Sequence, residues 1–406
     1  MGMSAFTNAR LITPEAVLPG ALLVEGDTIR ALGAIDIPAD AEVHDLGGLM
    51  LAPAIVDLGV FAADVAACHA GGIVRIGLMP DQSPVLDEPG IVQRAALIGR
   101  PDLWIHPIAA ATRALAGRDL AEMAINHSAG ARAVGSGRGW IADSGVMRKV
   151  LLYARDLGLV MITHAEDGGL VAGAVATQGE TATRLGLAAA PALAEAIAVA
   201  RDLMLAEETG ARVHFRQLTT AAAFDLVRAA KGRGVAVTCG VTPAHLLLSD
   251  IAMADFRTFT HLSPPLRDEA DRRATLAALA DGTIDILCSG HDPRGPEEKR
   301  LPFADSSAGA AGAESLLALA LGLARDGIVT MSRLFELLAA TPAQLLGLDA
   351  GRLAPGQPAD LLVFDPDAPW QISADRYVGR AGNTPFDGLP VQGRMRQLYK
   401  GGRRLV

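Results

Sequence analysis

Cysteine, aromatic residues and long apolar runs are all scarce in this chain of 406 residues. The three cysteines, Cys68, Cys239 and Cys288, form no C-x-x-C pair, and an odd number of isolated thiols does not make a disulfide framework. We expect them to be small buried hydrophobes in a reducing compartment. The longest apolar runs, such as LLALALGLA from Leu316, reach about half a membrane span, and the N-terminus shows no secretory signal pattern. The protein is predicted to be soluble and cytoplasmic, without a membrane partner.

Basic clusters are also missing. The formal net charge is −9, and lysine and arginine form only short pairs such as Arg272-Arg273. Nucleic-acid binding needs a basic face, so we predict no nucleic-acid partner. Half of the residues are hydrophobic, which is enough for a large core, although aromatic residues make up only 4%. That core must therefore be built mainly from Ala, Leu and Val.

Both ends of the chain show β-strand patterns. GALLVEGDTIRALG, residues 20–33, is typical of a strand, a tight turn and a second strand, and RMRQLYKGGRRLV closes the chain in the same way. Neither end could bury a core alone. We therefore predict that residues 1–50 and 350–406 pair into one small β-sandwich domain built from both chain termini.

Residues 51–349 alternate apolar strand patterns with amphipathic helical ones. Such an alternation over about 300 residues predicts an α/β fold, a parallel (β/α)8 barrel of the TIM type. In these barrels the chemistry takes place at the carboxyl ends of the strands, so the residue that follows each strand matters most. The predicted strands cover residues 51–57, 73–79, 103–108, 131–134, 159–164, 212–217, 235–239 and 284–289.

Motifs along almost the whole chain carry a family resemblance. They include LAPAIVDLGV (51–60), GGIVRIGLMPDQSP (71–84), MRKVLLYARDLGLVMITHAED (147–167), HFRQLTTAAAFDLVRAAKGRGVAVTCGVTPAHLLL (214–248), CSGHDP (288–293), GRLAPGQPADLLVFD (351–365) and NTPFDG (383–388). In this order they resemble dihydroorotase, of the amidohydrolase superfamily. The resemblance implies the barrel with its terminal β-sandwich, and the reversible ring closure of carbamoyl-aspartate. It also implies one or two zinc ions, which would polarise the amide and generate hydroxide, and a carboxylate that shuttles the proton.

The functional residues that the resemblance implies are missing at most positions. The family has metal-binding histidines, a bridging acid, substrate-binding residues and a catalytic aspartate at these positions. The residues of this chain there are not expected to bind zinc, hold the substrate carboxylate or transfer a proton. Phe61 is expected to fill part of the space left by an imidazole, and Asp81 would repel an anionic substrate. The affected positions are Gly59, Phe61, Ala63, Asp81, Ser136 or Gly137, Gln217, Gly290 and Arg294.

Two histidines survive in the expected pocket, His164 and His291. Of these only His164 matches a metal ligand, and we expect it to be hydrogen-bonded near Glu166 and Asp167 instead. His214 also survives, but at a position that is not a ligand. A hydrolytic zinc needs about three protein ligands, and none of the four lysines lies at a predicted strand end to supply a carbamate. We therefore predict no catalytic residues, no bound metal and no cofactor.

The resemblance extends to family members that lack the zinc ligands and assemble with aspartate carbamoyltransferase. We hypothesise that this chain is such a partner, in a hetero-oligomer or homo-oligomer, and no enzyme. An alternative is an active dihydroorotase, or a related zinc cyclic amidohydrolase, whose ligands are relocated. A third reading is a small-molecule sensor with Arg138 and Arg294 as anion contacts. The GSGRG turn at 135–139 could cradle an anion with its amides, although it lacks the phosphate-loop pattern.

Overall fold

The structure, a computed structural model, describes residues 2–406. In chain order the strands are β1 Met3–Ile12, β2 Val17–Glu25, β3 Thr28–Gly33, β4 Glu42–Asp45, β5 Met50–Pro53, β6 Ile55–Val60, β7 Ile73–Leu78, β8 Trp104–Ala110, β9 Ala133–Gly135, β10 Val160–Thr163, β11 Ala176–Thr177, β12 Ala189–Ala190, β13 Arg212–Phe215, β14 Val237–Val241, β15 Ile286–Leu287, β16 Leu361–Gln371, β17 Pro390–Lys400 and β18 Arg403–Arg404.

The α-helices lie mostly between the barrel strands. They are α1 Val65–Ala70, α2 Pro89–Leu97, α3 Met123–Ser128, α4 Ser144–Asp156, α5 Gly168–Val171, α6 Glu180–Leu185, α7 Leu193–Thr209, α8 Ala221–Gly232, α9 Pro243–Leu247, α10 Glu269–Ala280, α11 Pro296–Lys299, α12 Leu316–Arg325, α13 Met331–Phe335 and α14 Thr341–Leu345. Within residues 2–406, none of these helices has the length and apolarity needed to cross a membrane.

Eight parallel strands form the barrel, in the order β6, β7, β8, β9, β10, β13, β14, β15. Alternate side chains from these strands, such as Leu58, Ile108 and Ile286, fill the interior as a packed core. Strands β15 and β6 are joined at the seam by Asp57, whose carboxylate accepts hydrogen bonds from the Ser289 amide at 2.9 Å and from its hydroxyl. The predicted (β/α)8 barrel is confirmed, and a strand lies in each of the eight predicted segments.

Both termini contribute to a second sheet, as the sequence predicted. It is a single mixed sheet of eight strands, in which β1 pairs with β2, β4 and β5, and β5 pairs with β16. The sheet curls over its own core, because the Ile29 amide donates to the Gln357 carbonyl at 2.8 Å and thereby brings β3 against the segment before β16. It encloses Phe6, Leu22 and Leu361.

The boundary between the two parts lies three residues later than predicted. The predicted strand 51–57 is divided at Ala54, so that β5 pairs in the terminal sheet and β6 opens the barrel. The sequence pattern hides this division because residues 50–60 are all buried and read as one apolar run.

Candidate functional site

One cavity of about 250 Å³ borders Phe61, Leu78 and Gln82, and a separate, small cavity lies among the carboxyl ends of the barrel strands. Its lining includes the predicted positions Phe61, Gln217 and Gly290, and its volume is about 40 Å³. Ligand pockets usually measure about 300–1,000 Å³, whereas one water molecule occupies about 30 Å³ of liquid. The sequence-predicted positions are therefore brought together, but they enclose hardly more room than one or two water molecules need.

Arg216 fills the place of a side chain at position 59. It directly follows β13 and is 3% exposed. A Cβ atom built on Gly59 would lie 3.2 Å from Cγ and 3.3 Å from Cδ of Arg216, and the backbone φ of +84° at Gly59 also disfavours any other residue there. The sequence reasoning missed Arg216, although its position directly beside Gln217 in HFRQ marks it as a strand-end residue.

The ring of Phe61 lies between two cations. The guanidinium carbon of Arg138 is 3.7 Å from the ring centroid, and that of Arg216 is 4.9 Å from it. The negative faces of an aromatic ring attract such cations. The ring and the two guanidinium groups therefore form a compact cluster at the point where the resemblance places zinc-binding imidazoles.

Both ring nitrogens of His164 are engaged. Nη2 of Arg216 lies 3.2 Å from Nδ1, and Oε2 of Glu166 lies 3.1 Å from Nε2. Because a guanidinium can only donate, Nδ1 must accept and the proton lies on Nε2, which donates to Glu166. The expectation that His164 is hydrogen-bonded beside Glu166 is confirmed. Asp167 instead caps α5 by accepting from the amides of Gly169 and Leu170.

The network continues inward from His164 through buried charges. Arg267 donates to Oε1 of Glu166 at 2.8 Å and contacts Glu195 at 3.4 Å. Burial alone would raise the pKa of Glu166, but the hydrogen bonds from His164 and Arg267 and the charge of Arg267 hold it below its usual value. Glu166 therefore stays ionised, and its two oxygens are fully used within the protein. It is not free to act as a base.

The GSGRG turn after β9 binds a carboxylate of the protein itself. The amide of Arg138 donates to Oδ1 of Asp81 at 2.9 Å, and a Cβ at Gly137 would lie only 2.6 Å from that oxygen. Ser136 accepts a hydrogen bond from the His164 amide at 3.1 Å. The Asp81 carboxylate therefore occupies the anion site that the sequence suggested for this turn. The Ser136 hydroxyl holds the backbone amide of His164.

The segment after β15 is closed by packing. Gly290 has a φ of +60°, and a Cβ there would lie 2.7 Å from Cγ2 of Thr242. Nδ1 of His291 accepts from the Ala313 amide at 3.3 Å, while its Nε2 has no partner among residues 2–406. Burial lowers the pKa of His291 to about 4, so this imidazole is neutral at physiological pH.

Asp292 holds both arginines that the sequence suggested as anion contacts. Arg138 forms a bidentate pair with it, in which Nη2 lies 2.9 Å from Oδ1, and Nη2 of Arg294 lies 3.1 Å from Oδ2. The third hypothesis, a sensor that uses Arg138 and Arg294, stays a prediction, and in the structure both guanidinium groups pair with an internal carboxylate.

The residues at this site do not fit a catalytic zinc ion. Positions 59 and 290 are glycines, position 61 is phenylalanine, and Oε1 of Gln217 accepts from Arg216 at 2.8 Å. Within residues 2–406, no group of three His, Cys, Asp or Glu side chains is placed to hold a metal ion. The one carboxylate that borders the cavity, Asp292, is already paired with Arg138 and Arg294, while the Arg216 guanidinium would repel a divalent cation.

None of the four lysines supplies a ligand either. Lys231 pairs with Asp285 at 2.7 Å and Lys400 with Asp360 at 2.9 Å, while Lys299 donates to the Thr258 carbonyl at 2.9 Å. Lys149 lies in α4, within the surrounding helices. A carbamate bridge between metal ions therefore has no candidate in the cavity.

Comparison with known proteins places the chain in a family. Residues 113–405 match the amidohydrolase family model. A dihydroorotase of Pelobacter propionicus is 36% identical over 95% of both chains, and a dihydroorotase-like protein of Pseudomonas aeruginosa is 37% identical over 96% of both. The fold is similar to that of the L-hydantoinase (dihydropyrimidinase) from Arthrobacter aurescens, with a TM-score of 0.90, 23% identity and coverage of 100% of this chain and 96% of the other. The chain therefore belongs to the amidohydrolase family, in the group formed by dihydroorotases and dihydroorotase-like proteins.

Proposed function

We propose that this chain is a dihydroorotase-like protein of pyrimidine biosynthesis that has lost hydrolysis and serves as a structural partner of aspartate carbamoyltransferase. The observation that carries the loss of activity is the side chain of Arg216. Its stem fills the space beside Gly59, and its guanidinium group engages Gln217 and His164. Gly59, Gln217 and His164 therefore all accommodate the Arg216 side chain. Loss of a metal ion alone would not produce this mutual fit.

Hydrolysis of a cyclic amide needs a nucleophilic water, a group that polarises the carbonyl and a group that moves a proton. The side chains around the cavity offer none of these in a usable form. Asp292 is bound by two arginines, Gly290 has no side chain, and His291 lies behind the cavity wall against Ala313. The volume of about 40 Å³ also leaves no room for a substrate ring.

The alternative, an active dihydroorotase with relocated ligands, is favoured by the names of several relatives. Identity does not separate the two functions, because a protein named dihydroorotase and one named dihydroorotase-like are 36% and 37% identical to this chain. The chemistry of the site supports the loss of activity, because Arg216 fills the space beside Gly59 and engages His164.

Helix α7, on the outside of the barrel, exposes several apolar side chains. They are Leu193 (59%), Ile197 (40%) and Met204 (71%). Positions separated by four and eleven residues lie on one stripe of an α-helix, and Leu170 (40%) is exposed on α5, which packs against α7. Exposed apolar patches mark protein contacts. We propose that this α7 stripe contributes to the contact with aspartate carbamoyltransferase.

Metal content and turnover test the loss of activity. The purified protein is expected to contain far less than one zinc per chain and to show no hydrolysis of dihydroorotate, with or without added zinc. A catalytically active dihydroorotase, purified and assayed in parallel, is the control. Stoichiometric zinc together with turnover that a chelator abolishes would establish the alternative.

Co-expression with aspartate carbamoyltransferase from the same organism tests the partnership. We expect the two chains to elute together in size-exclusion chromatography and the transferase activity to depend on this chain. The double variant Leu193→Glu/Met204→Glu should weaken the association, whereas Val43→Glu/Val378→Glu, at positions 56% and 61% exposed elsewhere, should not. Separate elution with unchanged transferase activity would refute the partnership. Association that survives the α7 variant would refute only the location of the contact.

A further inference from the structure

A second and much larger cavity lies at the opposite end of the barrel. It measures about 660 Å³ and lies between the amino ends of the strands and the terminal sheet. This volume falls within the usual range for small-molecule sites, about 300–1,000 Å³. Neither the family resemblance nor the proposed function assigns a role to it. Two aspartates, Asp27 and Asp349, line it, but cations are more numerous; the lining residues used below are Arg75, Arg100, Trp104, His106, Arg132 and Lys400.

The buried floor of this cavity carries more positive than negative charge. Arg75 and Lys400 share a single carboxylate, that of Asp360, at 2.8 and 2.9 Å. Both cations also lie against the indole of Trp104, at 4.6 and 4.1 Å from the ring centroid. One carboxylate balances only one of these two charges, so the floor keeps a net positive charge in a poorly solvated place.

Two further guanidinium groups at the rim have no acidic partner. Arg100 lies over Trp104 at 4.2 Å and donates from Nε only to the Ala96 carbonyl, at 3.3 Å. Arg132 directly precedes β9. Across residues 2–406, neither side chain forms an ion pair within 4.0 Å. By contrast, Arg403 at the same rim pairs with Asp102.

The cavity wall also holds an unsatisfied imidazole. His106 is 6% exposed, and its Nε2 has no hydrogen-bond partner among residues 2–406. Burial, and then the charges of Arg75, Arg132 and Arg100, lower the pKa of His106 to about 3. The ring is therefore neutral and can donate one hydrogen bond. Buried polar groups without partners are rare in folded proteins, and this one lies in the wall of the cationic cavity.

We propose that this cavity binds a small multivalent anion, one that carries two or more phosphate or carboxylate groups, with Arg100 and Arg132 as direct contacts. Planar guanidinium groups bind both kinds of oxyanion through paired hydrogen bonds. The floor cations Arg75 and Lys400 add attraction from below. The site is more than a basic surface patch because it is concave and its floor charges are held in place by Asp360. It is independent of the proposed assembly role.

Titration calorimetry with inorganic tripolyphosphate on the full chain tests this site. We expect one binding site per chain and an affinity that falls as salt is raised. The double variant Arg100→Gln/Arg132→Gln should bind at least about tenfold more weakly, which corresponds to about 1.4 kcal/mol. Neither side chain makes an ion pair in the described residues, so this variant is expected to fold normally. Citrate as a second probe distinguishes recognition of carboxylates from recognition of phosphates.

A matched control is available in Arg118→Gln/Arg184→Gln. Both arginines are exposed, lie outside this cavity and form no ion pair in the part of the chain that the structure describes. This variant lowers the net charge equally and should bind as the wild type does. Failure of both probes to bind at millimolar concentration would overturn the proposal, as would equal binding by both double variants. Binding of a poly-glutamate peptide but of neither small probe would also overturn it, in favour of a protein partner.

Discussion

Two glycines show how this barrel mouth is closed. At Gly59 and Gly290 the missing side chains are replaced by neighbours, Arg216 in the first case and Thr242 in the second. Both glycines also have positive φ, which other residues adopt only with strain. Restoring a functional side chain at either position would therefore require both a backbone change and the removal of a packed neighbour.

Replacement of Gly290 by alanine should lower the free energy of unfolding. The new methyl group would lie 2.7 Å from Thr242 Cγ2, so overpacking of about 1–3 kcal/mol adds to the cost of a positive φ, about 1–2 kcal/mol. The free energy of unfolding, measured by urea denaturation, should fall by the sum of the two. Gly173→Ala is the control, since its φ is +72° and nothing lies within 4 Å of the added methyl group. Equal losses in the two variants would show that Thr242 does not restrict position 290.

The sequence could predict this site only in part. Comparison of motifs places Gly59, Phe61, Gln217 and Gly290 at strand ends, and the fold then brings them together. Arg216 could not be assigned its role, because nothing in HFRQ indicates that its stem turns toward Gly59, across the barrel. The same holds for Asp81, which was expected to repel a substrate and instead accepts the Arg138 amide. Such contacts join residues far apart in the chain, and they depend on side-chain packing that periodicity does not encode.

Among the strands, the barrel seam is held by one backbone hydrogen bond, from the Phe61 amide to the His291 carbonyl at 2.9 Å, and by a side chain. Among the described residues, β6 and β15 share no ladder of backbone hydrogen bonds, and Asp57 links them through Ser289. The eight strands themselves were predictable from apolar runs of the right length. The seam was not, since DLGV and CSGHDP show no pairing signal in the sequence. A buried carboxylate in this role makes the seam sensitive to pH.

Asp57→Asn should change how stability depends on pH. Burial raises the pKa of Asp57 from 3.8 to about 6, so the folded protein holds this proton more tightly than the unfolded chain. The stabilisation of the folded state by protonated Asp57 is complete below pH 3.8 and is lost as the pH rises through about 6. The free energy of unfolding changes by up to about 3 kcal/mol over this range. We expect the free energy of unfolding of the wild type, relative to that of the variant, to decline between pH 4 and about 6.

The difference between the two proteins isolates this group, because all other titrating residues are present in both. Asp40→Asn, at an exposed position, is the control and should give a curve parallel to that of the wild type. Parallel curves for Asp57→Asn and the wild type from pH 4 to about 6 would show that Asp57 does not titrate in that range.

At the scale of the whole molecule, a buried ion network joins the barrel to the terminal sheet. Asp360 precedes β16 and accepts from Arg75 of β7 and Lys400 of β17 at 2.8 and 2.9 Å, as well as from the Gly401 amide at 2.9 Å. Arg75 and Asp360 are 285 residues apart in the chain. The sequence indicates that the two termini pair with each other, but it does not show which residues fix them to the barrel.

Replacement of Asp360 by asparagine should weaken both parts together. It would leave Arg75 and Lys400 buried without a counter-ion, and breaking a buried pair in this way costs about 3–5 kcal/mol. Asp365→Asn breaks the exposed pair with Arg396, whose side chains are 29% and 44% exposed, and should cost less than about 1 kcal/mol. Urea unfolding followed by tryptophan fluorescence measures both, because Trp104 lies in the barrel and Trp370 in the sheet. We expect one shared transition, shifted to lower urea by Asp360→Asn. A loss equal to that of Asp365→Asn, or a sheet that unfolds separately in the wild type, would show that Asp360 does not couple the two parts.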